Sequence, residues 1–354
     1  MRSIITIVLV FAVPPSMSVA FSARELQQME MISRKKLGPS LSSEFLVLNS
    51  SPDTLVGKGG RSEILTCVRA GAQGEDGRAL TLKVFKEDDR FDREQRNYET
   101  VCGGARPAHF VYVERFERVK SGTNVIVMER GAVDLKRASA QVGPVRGAAF
   151  KRTATAMAAA VQRVHAKGLV WTDIKLDNFV LVDTAASSSS SSRSSSSNTV
   201  DGYLSSRFSC KAIDLESAVR VGAPLVDFSP EGLAPEQMLA ISSGGAALTA
   251  VGNRRNDLAL STGQLLLAAT ATDVFSLGVA LLHLYLGKAP LTDRPGDVRA
   301  ALAAVQRYVD GDTDLGLPQI AEPATRRLLS SMLSVNPRQR PSILVVVAAL
   351  TLFV

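Results

Sequence analysis

Cysteine and histidine are both scarce, three of each in 354 residues. Cys67, Cys102 and Cys210 are odd in number and far apart. They offer neither a disulfide framework nor a C-x-x-C metal site, and metal binding by soft ligands is disfavoured. Aromatic residues make up only 5%, with a single tryptophan, and the basic residues are scattered rather than striped. The excess of 41 basic over 34 acidic residues, +7, therefore permits an anionic partner without arguing for nucleic acid. Long apolar runs are missing too. Ile4–Val13 and Ile343–Val354 fall short of the roughly 20 residues that a membrane helix needs, so the latter is expected to be a core helix and no stable membrane span is expected in the mature chain. What remains is a chain that is 45% hydrophobic and 21% charged, enough for a sizeable core. Its length points to one large domain with appendages, or to two domains.

The first twenty residues carry Arg2, the run Ile4–Val13, Pro14-Pro15 and the small-residue stretch Ser18-Val19-Ala20. That is the n-region, h-region and cleavage pattern of a signal peptide, expected over 1–20. Residues 21–43, rich in Ser, Lys, Arg and Met, read as a transit-peptide-like or flexible segment. A cut before Phe21 resembles the two-part presequence of plastid proteins in algae with complex plastids, which implies a plastid destination. Plain entry to the secretory pathway is the alternative, and the odd cysteine count weighs against an oxidising one.

From about Phe45 to Val127, β-branched runs alternate with turn residues. Strands are expected at Glu63–Val68, Ala79–Phe85, Phe110–Phe116 and Asn124–Met128, with one polar helix at Asp89–Cys102. From Phe150 the helical period dominates, with helices expected at Phe150–Lys167, Val274–Leu286, Val298–Val309, Glu322–Leu333 and Ile343–Leu352. Two low-complexity stretches, the serine-rich 185–206 and the Gly/Ala/Ser-rich 240–271, read as surface insertions or flexible loops. The serine run is an inert spacer or a target of phosphorylation.

Gly57-Lys58-Gly59-Gly60-Arg61-Ser62-Glu63-Ile64 sits at a strand-to-strand junction, where residues without Cβ let backbone N–H groups approach phosphate oxygens. Alone, it reads better as a Gly-rich hairpin turn. About twenty residues on, Ala79–Phe85 places Lys83 among apolar neighbours with its amine on the inner face of the sheet. A buried lysine needs a partner. The following helix offers Glu94, with Tyr98 and Val101 at i+4 and i+7 of the packed face, and Glu99 as a less well patterned substitute.

The segment Gly168-Leu169-Val170-Trp171-Thr172-Asp173-Ile174-Lys175-Leu176-Asp177-Asn178 resembles the catalytic loop of the protein-kinase family, H-R-D-x-K-x-x-N. Downstream, Asp214-Leu215-Glu216 resembles D-F-G and Ala234-Pro235-Glu236 resembles A-P-E. Asp273–Gly278 is similar to the helix that anchors the catalytic loop, and Asn336–Ser342 to the late arginine motif. These elements stand in order over roughly residues 50–350.

The resemblance implies an α+β, two-lobed protein-kinase fold over 44–354. An antiparallel-sheet lobe with one main helix covers about 44–130, and a mostly helical lobe about 131–354. It implies ATP and Mg²⁺, transfer to Ser/Thr hydroxyls of a protein substrate, and convergence of both lobes on one triphosphate. Asp173 is then base and orienter, Lys175 neutralises the transferring phosphoryl group, and Lys83, oriented by Glu94, holds the α- and β-phosphates. Asn178 and Asp214 hold the metal. Gly57, Gly59, Gly60, Ser62, Ile64 and Glu129 join Lys83 in nucleotide binding. Arg340 is expected to pair with Glu236 as a largely buried ion pair.

The departures are local. Trp171-Thr172 replaces H-R, removing the arginine that clamps a phosphorylated activation loop, so phosphorylation through that contact should be unnecessary. Trp171 can fill the packing site of the histidine without making the same hydrogen bonds. Glu216 replaces the glycine of D-F-G beside the metal site, and Ser62 the third glycine of the phosphate loop. These changes keep an ATP-binding pseudokinase as the alternative function. A small-metabolite kinase is the third possibility, disfavoured by Ala234–Glu236.

Overall fold

The computed structural model describes residues 8–10, 18–20, 33, 37, 41–47, 57–58, 62–69, 79–104, 106–118, 124–184, 207–225, 227–243, 267–292, 294 and 296–352. The chain divides into two units. One comprises Met1–Gln95, Val111–Gly131 and Asp183–Gly202, the other Arg96–Phe110, Ala132–Val182 and Tyr203–Val354. The N-terminal part is built on an antiparallel sheet and the C-terminal part is mostly helical, so the architecture is mixed α+β.

In the first unit, β1 (Val8–Val10) pairs antiparallel with β2 (Ser18–Ala20). The main sheet contains β3 (Phe45–Val47), β4 (Gly57–Lys58), β5 (Ser62–Arg69), β6 (Leu80–Phe85), β7 (Val113–Arg118) and β8 (Asn124–Glu129). Its order is β3-β5-β6-β8-β7, with β4 on β5, and every pairing is antiparallel. Strand side chains alternate between faces, and both faces here are covered. On one, Leu65, Cys67, Leu80, Leu82, Val125 and Val127 pack with Leu37, Leu41 and Phe45. The other carries Lys83 and Phe85, whose ring meets Phe91 edge-on at 5.6 Å. Phe91 lies in helix α1 (Asp88–Cys102).

The second unit holds β9 (Val133–Asp134), α2 (Leu135–Val142), α3 (Gly147–His165), β10 (Leu169–Val170), β11 (Phe179–Asp183), β12 (Phe208–Ala212) and β13 (Val219–Arg220). Helices α4 (Pro235–Ser243), α5 (Thr270–Leu286), α6 (Val298–Val309), α7 (Pro323–Met332) and α8 (Ile343–Leu352) follow. Strands β12, β11 and β9 form a small sheet, and β10 pairs antiparallel with β13. Local chemistry sets the helix ends. Asp134 caps α2 by accepting from Arg137 N at 2.8 Å, Asp297 caps α6 through Ala300 N at 2.9 Å, and Pro323 opens α7. Helix α5 is apolar almost all round and buried accordingly. It stops at Gly287, φ +69°, where a Cβ would lie 2.8 Å from Pro144 N.

Most expected elements recur within a residue or two, but some boundaries move. The strand expected at Phe110–Phe116 begins at Val113, and Phe110 makes an isolated parallel bridge to Ala212 in the second unit. Helices α2 and α4 were not expected; each is short, 8 and 9 residues. Within the segment expected to be transit-peptide-like or flexible, Ser33, Leu37 and Leu41 are buried, and Ser33 Oγ accepts from Val47 N at 2.8 Å. The insertion expected at 240–271 narrows from both ends, since α4 runs to Ser243 while Ala268 exchanges backbone hydrogen bonds with Gly222 and Ala223. The serine-rich 185–206 lies outside the described residues. Helix α8 packs into the core through Ile343, Val346 and Leu350, while Leu344, Val345 and Leu352 are exposed. No helix among the described residues is long and apolar enough to cross a membrane.

Candidate functional site

Lys83 sits mid-strand in β6, opposite Ile64 of β5 and Ile126 of β8. Its neighbours remove it from water, leaving it 4% exposed. Glu94, on the second turn of α1 and 5% exposed, answers it: Lys83 Nζ donates to Glu94 Oε2 at 2.5 Å. This settles the choice of partner, since Glu99 is exposed. Such a pair matters more for what its loss leaves behind, an unpaired buried charge at about 3–5 kcal/mol, than for net stability. Beside it, Gly57 pairs with Ile64 and Lys58 with Glu63, so Gly57, Ser62 and Ile64 belong to one antiparallel hairpin; Gly59 and Gly60 lie outside the described residues. Glu129 closes β8, where its backbone N–H donates to Tyr112 O and its carboxylate accepts from Tyr112 N at 2.6 Å.

In the second unit the loop after β10 is set by a buried carboxylate. Asp273, fully buried in the first turn of α5, accepts from the backbone amides of Trp171 at 2.6 Å and Thr172 at 2.8 Å. The same carboxylate lies 2.9 Å from His165 Nε2, at the end of α3. Thr172 has φ +69°, an outlier for a β-branched residue, and these hydrogen bonds hold it there. Trp171 is fully buried between Phe110 and Phe179. Its indole also bonds: Nε1 donates to Asp214 O at 2.8 Å. Asp214 itself sits at φ +66°, and Ile213 N donates to Asn178 O at 2.9 Å.

Asp173, Lys175 and Asn178 come together as expected. Lys175 Nζ lies 3.0 and 2.9 Å from the two Asp173 carboxylate oxygens. Asn178 Nδ2 donates to Asp173 O at 2.8 Å and to Asp173 Oδ2 at 3.0 Å. A fourth residue, absent from the sequence expectations, completes the cluster: the Ser229 hydroxyl donates to Asp173 Oδ1 and accepts from Lys175 Nζ at 2.7 Å. Ser229 is 56 residues away on an irregular segment, and its only sequence signal is its place five residues before Ala234-Pro235-Glu236. No family model matches the chain.

The electrostatics of the cluster follow from its geometry. Burial alone would raise the Asp173 carboxyl, but the Lys175 charge and the hydrogen bonds from Ser229, Lys175 and Asn178 hold it below the ordinary carboxylate value. Burial would likewise lower the Lys175 amine, and Asp173 overturns that, holding it above its usual range. At neutral pH the two are a carboxylate and an ammonium. A carboxylate so held is a weak base but a well-aimed acceptor, suited to orienting a hydroxyl. Both amide hydrogens of Asn178 are engaged by Asp173, which leaves its Oδ1 as the end able to meet a cation.

The expected ion pair between Arg340 and Glu236 is present. Arg340 Nη1 and Nη2 donate to Glu236 Oε1 and Oε2 at 2.7 and 2.8 Å. Arg340 also donates to the carbonyls of Ser334 and Ala271, and its guanidinium lies 4.9 Å from the centre of the Phe275 ring. Every donor group of this buried arginine therefore has a partner.

Proposed function

We propose that the chain is a Ser/Thr protein kinase with a two-lobed kinase fold, using MgATP. The observation that carries this reading is the Asp173–Lys175–Asn178–Ser229 cluster, four polar side chains bonded to one another on a loop that Asp273 anchors. In the proposed reaction a Ser/Thr hydroxyl oxygen of the substrate attacks the γ-phosphorus of ATP. The new O–P bond forms as the bond to the β–γ bridging oxygen breaks, ADP departs, and the hydroxyl proton passes to Asp173 late in the step. Lys175 neutralises charge on the transferring group, and Lys83, held by Glu94, takes the α- and β-phosphates. Gly57, Ser62, Ile64 and Glu129 belong to the nucleotide-binding surface. Asn178 Oδ1 and the Asp214 carboxylate would hold Mg²⁺, which lowers the charge on the phosphates.

The decisive assay is transfer of radiolabelled phosphate from MgATP to a generic basic protein by the full chain. Asp173→Asn should abolish transfer while nucleotide binding persists. Thermal stabilisation by ATP without any transfer would replace this reading with a pseudokinase, for which Glu216 beside Asp214 is the motive. Plastid targeting by residues 1–45 is a separate proposal. A fluorescent reporter carrying them should enter the plastid of an alga with complex plastids, and reporter secreted into the medium would overturn it.

A further inference from the structure

We propose that Asn97 is a positioning residue that, with Thr172 and Ser217, locks the turn Leu215–Ala218 behind Asp214 in one conformation without a phosphate. Its consequence for turnover rests on the kinase reading; the lock itself does not.

Asn97 lies in the C-terminal half of α1, and its Nδ2 donates to Leu215 O and to Ala218 O, both at 2.8 Å. A carboxamide nitrogen carries two hydrogens, and main-chain carbonyls can only accept, so chemistry fixes which way the amide points. The turn also closes on itself through Ala218 N to Leu215 O at 3.1 Å. On its other side, hydroxyls and carbonyls are exchanged reciprocally. Thr172 Oγ1 donates to Ser217 O at 3.1 Å, and Ser217 Oγ donates to Trp171 O at 2.8 Å. Immediately afterwards Val219 and Arg220 pair with Val170 and Leu169, continuing the attachment as a ladder.

Thr172 and Ser217 are both buried, so each hydrogen bond lost there would strand a polar group away from water. Thr172 also occupies the place where the resembling family has its phosphate-binding arginine. A short hydroxyl reaching a neutral carbonyl does here what a long cation does on a phosphate. Its left-handed backbone is also held by Asp273, a contact separate from the one its hydroxyl makes with Ser217.

The test uses the full chain with Asn97→Asp, Thr172→Val and Thr172→Ser. Aspartate keeps the shape of asparagine and loses both donors, valine keeps the shape of threonine and loses the hydroxyl, and serine restores it. Amide hydrogen exchange should accelerate about tenfold or more across Ser217–Gly222 in the first two variants, with the amides of α5 unaffected. Thr172→Ser should exchange like the parent. The same two variants should lose about tenfold or more in kcat with KM for ATP within about twofold, and phosphatase treatment of the parent should leave its rate unchanged. Unaltered exchange in both variants would overturn the lock, and faster exchange with full kcat would overturn the positioning role. If Asn97→Asp does not fold, Thr172→Val and its serine rescue decide. A parent without phosphotransfer would count against the kinase reading, and the exchange data would then judge the lock alone.

Discussion

Arg340 and Glu236, 104 residues apart in sequence, face each other through two parallel hydrogen bonds, and the guanidinium end of that pair is wholly buried. The carbonyls of Ser334 and Ala271 take further donors, which ties the turn before α8 to the start of α5. Glu236→Gln should destabilise the protein by about 3–5 kcal/mol, because it leaves the arginine charge buried and unanswered. Burial alone would raise the Glu236 carboxyl, but Arg340 more than reverses this and holds it below the ordinary 4.5. An acid whose folded value is depressed stabilises the fold above its unfolded value. That contribution is lost as pH falls below about 4.5, and acid titration of parent and Glu236→Gln by chemical denaturation measures it.

Ser229 bridges Asp173 and Lys175. Ser229→Ala should lower kcat by about tenfold, because the carboxylate loses an orienting donor, while KM for ATP stays level. Ser229→Thr, which keeps the hydroxyl, should restore most of the rate. Steady-state kinetics on the three proteins decides this, and an alanine variant with full kcat would reduce Ser229 to packing.

A further pH response belongs to His283 on α5. It lines a small cavity with Lys136, Lys175, Asp177 and Glu231. Burial, helped by the charge of Lys136, lowers its imidazole from 6.5 to about 4. The folded state keeps this ring neutral where the unfolded chain would protonate it, so stability should fall between about pH 6.5 and pH 4. Its size, discounted for partial exposure, is on the order of 2 kcal/mol. His283→Gln should flatten that stretch of the stability–pH curve.

Asp273 supports the loop through two main-chain amides. Asp273→Leu would leave both amides buried without an acceptor, at about 1–3 kcal/mol each, and would release the left-handed Thr172. Expected are a lower Tm and loss of phosphotransfer. Asp273→Asn, which keeps one acceptor oxygen, should fall between parent and leucine variant in both.

Residues close together in sequence gave themselves away. Asp173, Lys175 and Asn178 share one loop, and its resemblance to the protein-kinase catalytic loop is what singles them out. Lys83 and Glu94 were legible because an apolar strand around a lysine demands a nearby acid, and helical spacing then favoured Glu94 over Glu99. Ser229 and Asn97 were not legible. Each meets the site across 56 or 118 residues, and neither a serine in a loop nor an asparagine in a polar helix carries any local mark of its partner. The hydrogen bond from Trp171 Nε1 was missed for a related reason. Its acceptor is a main-chain carbonyl, and every residue has one. In the fold, the long periodic helices are legible, whereas the short α2 and α4 have too few turns to show a period, and α2 rests on its Asp134 cap.

Finally, the cysteines are thiols and all are buried. Burial pushes Cys210 up to about 12 and Cys102 to about 11, and lifts Cys67 well above its ordinary value. Since the thiolate is the form that alkylates, the intact molecule should be nearly inert to iodoacetamide. Cys67 belongs to the first unit, Cys102 and Cys210 to the second. Peptide mapping after brief labelling in rising urea would thus report, with no engineered tag, which unit comes apart first.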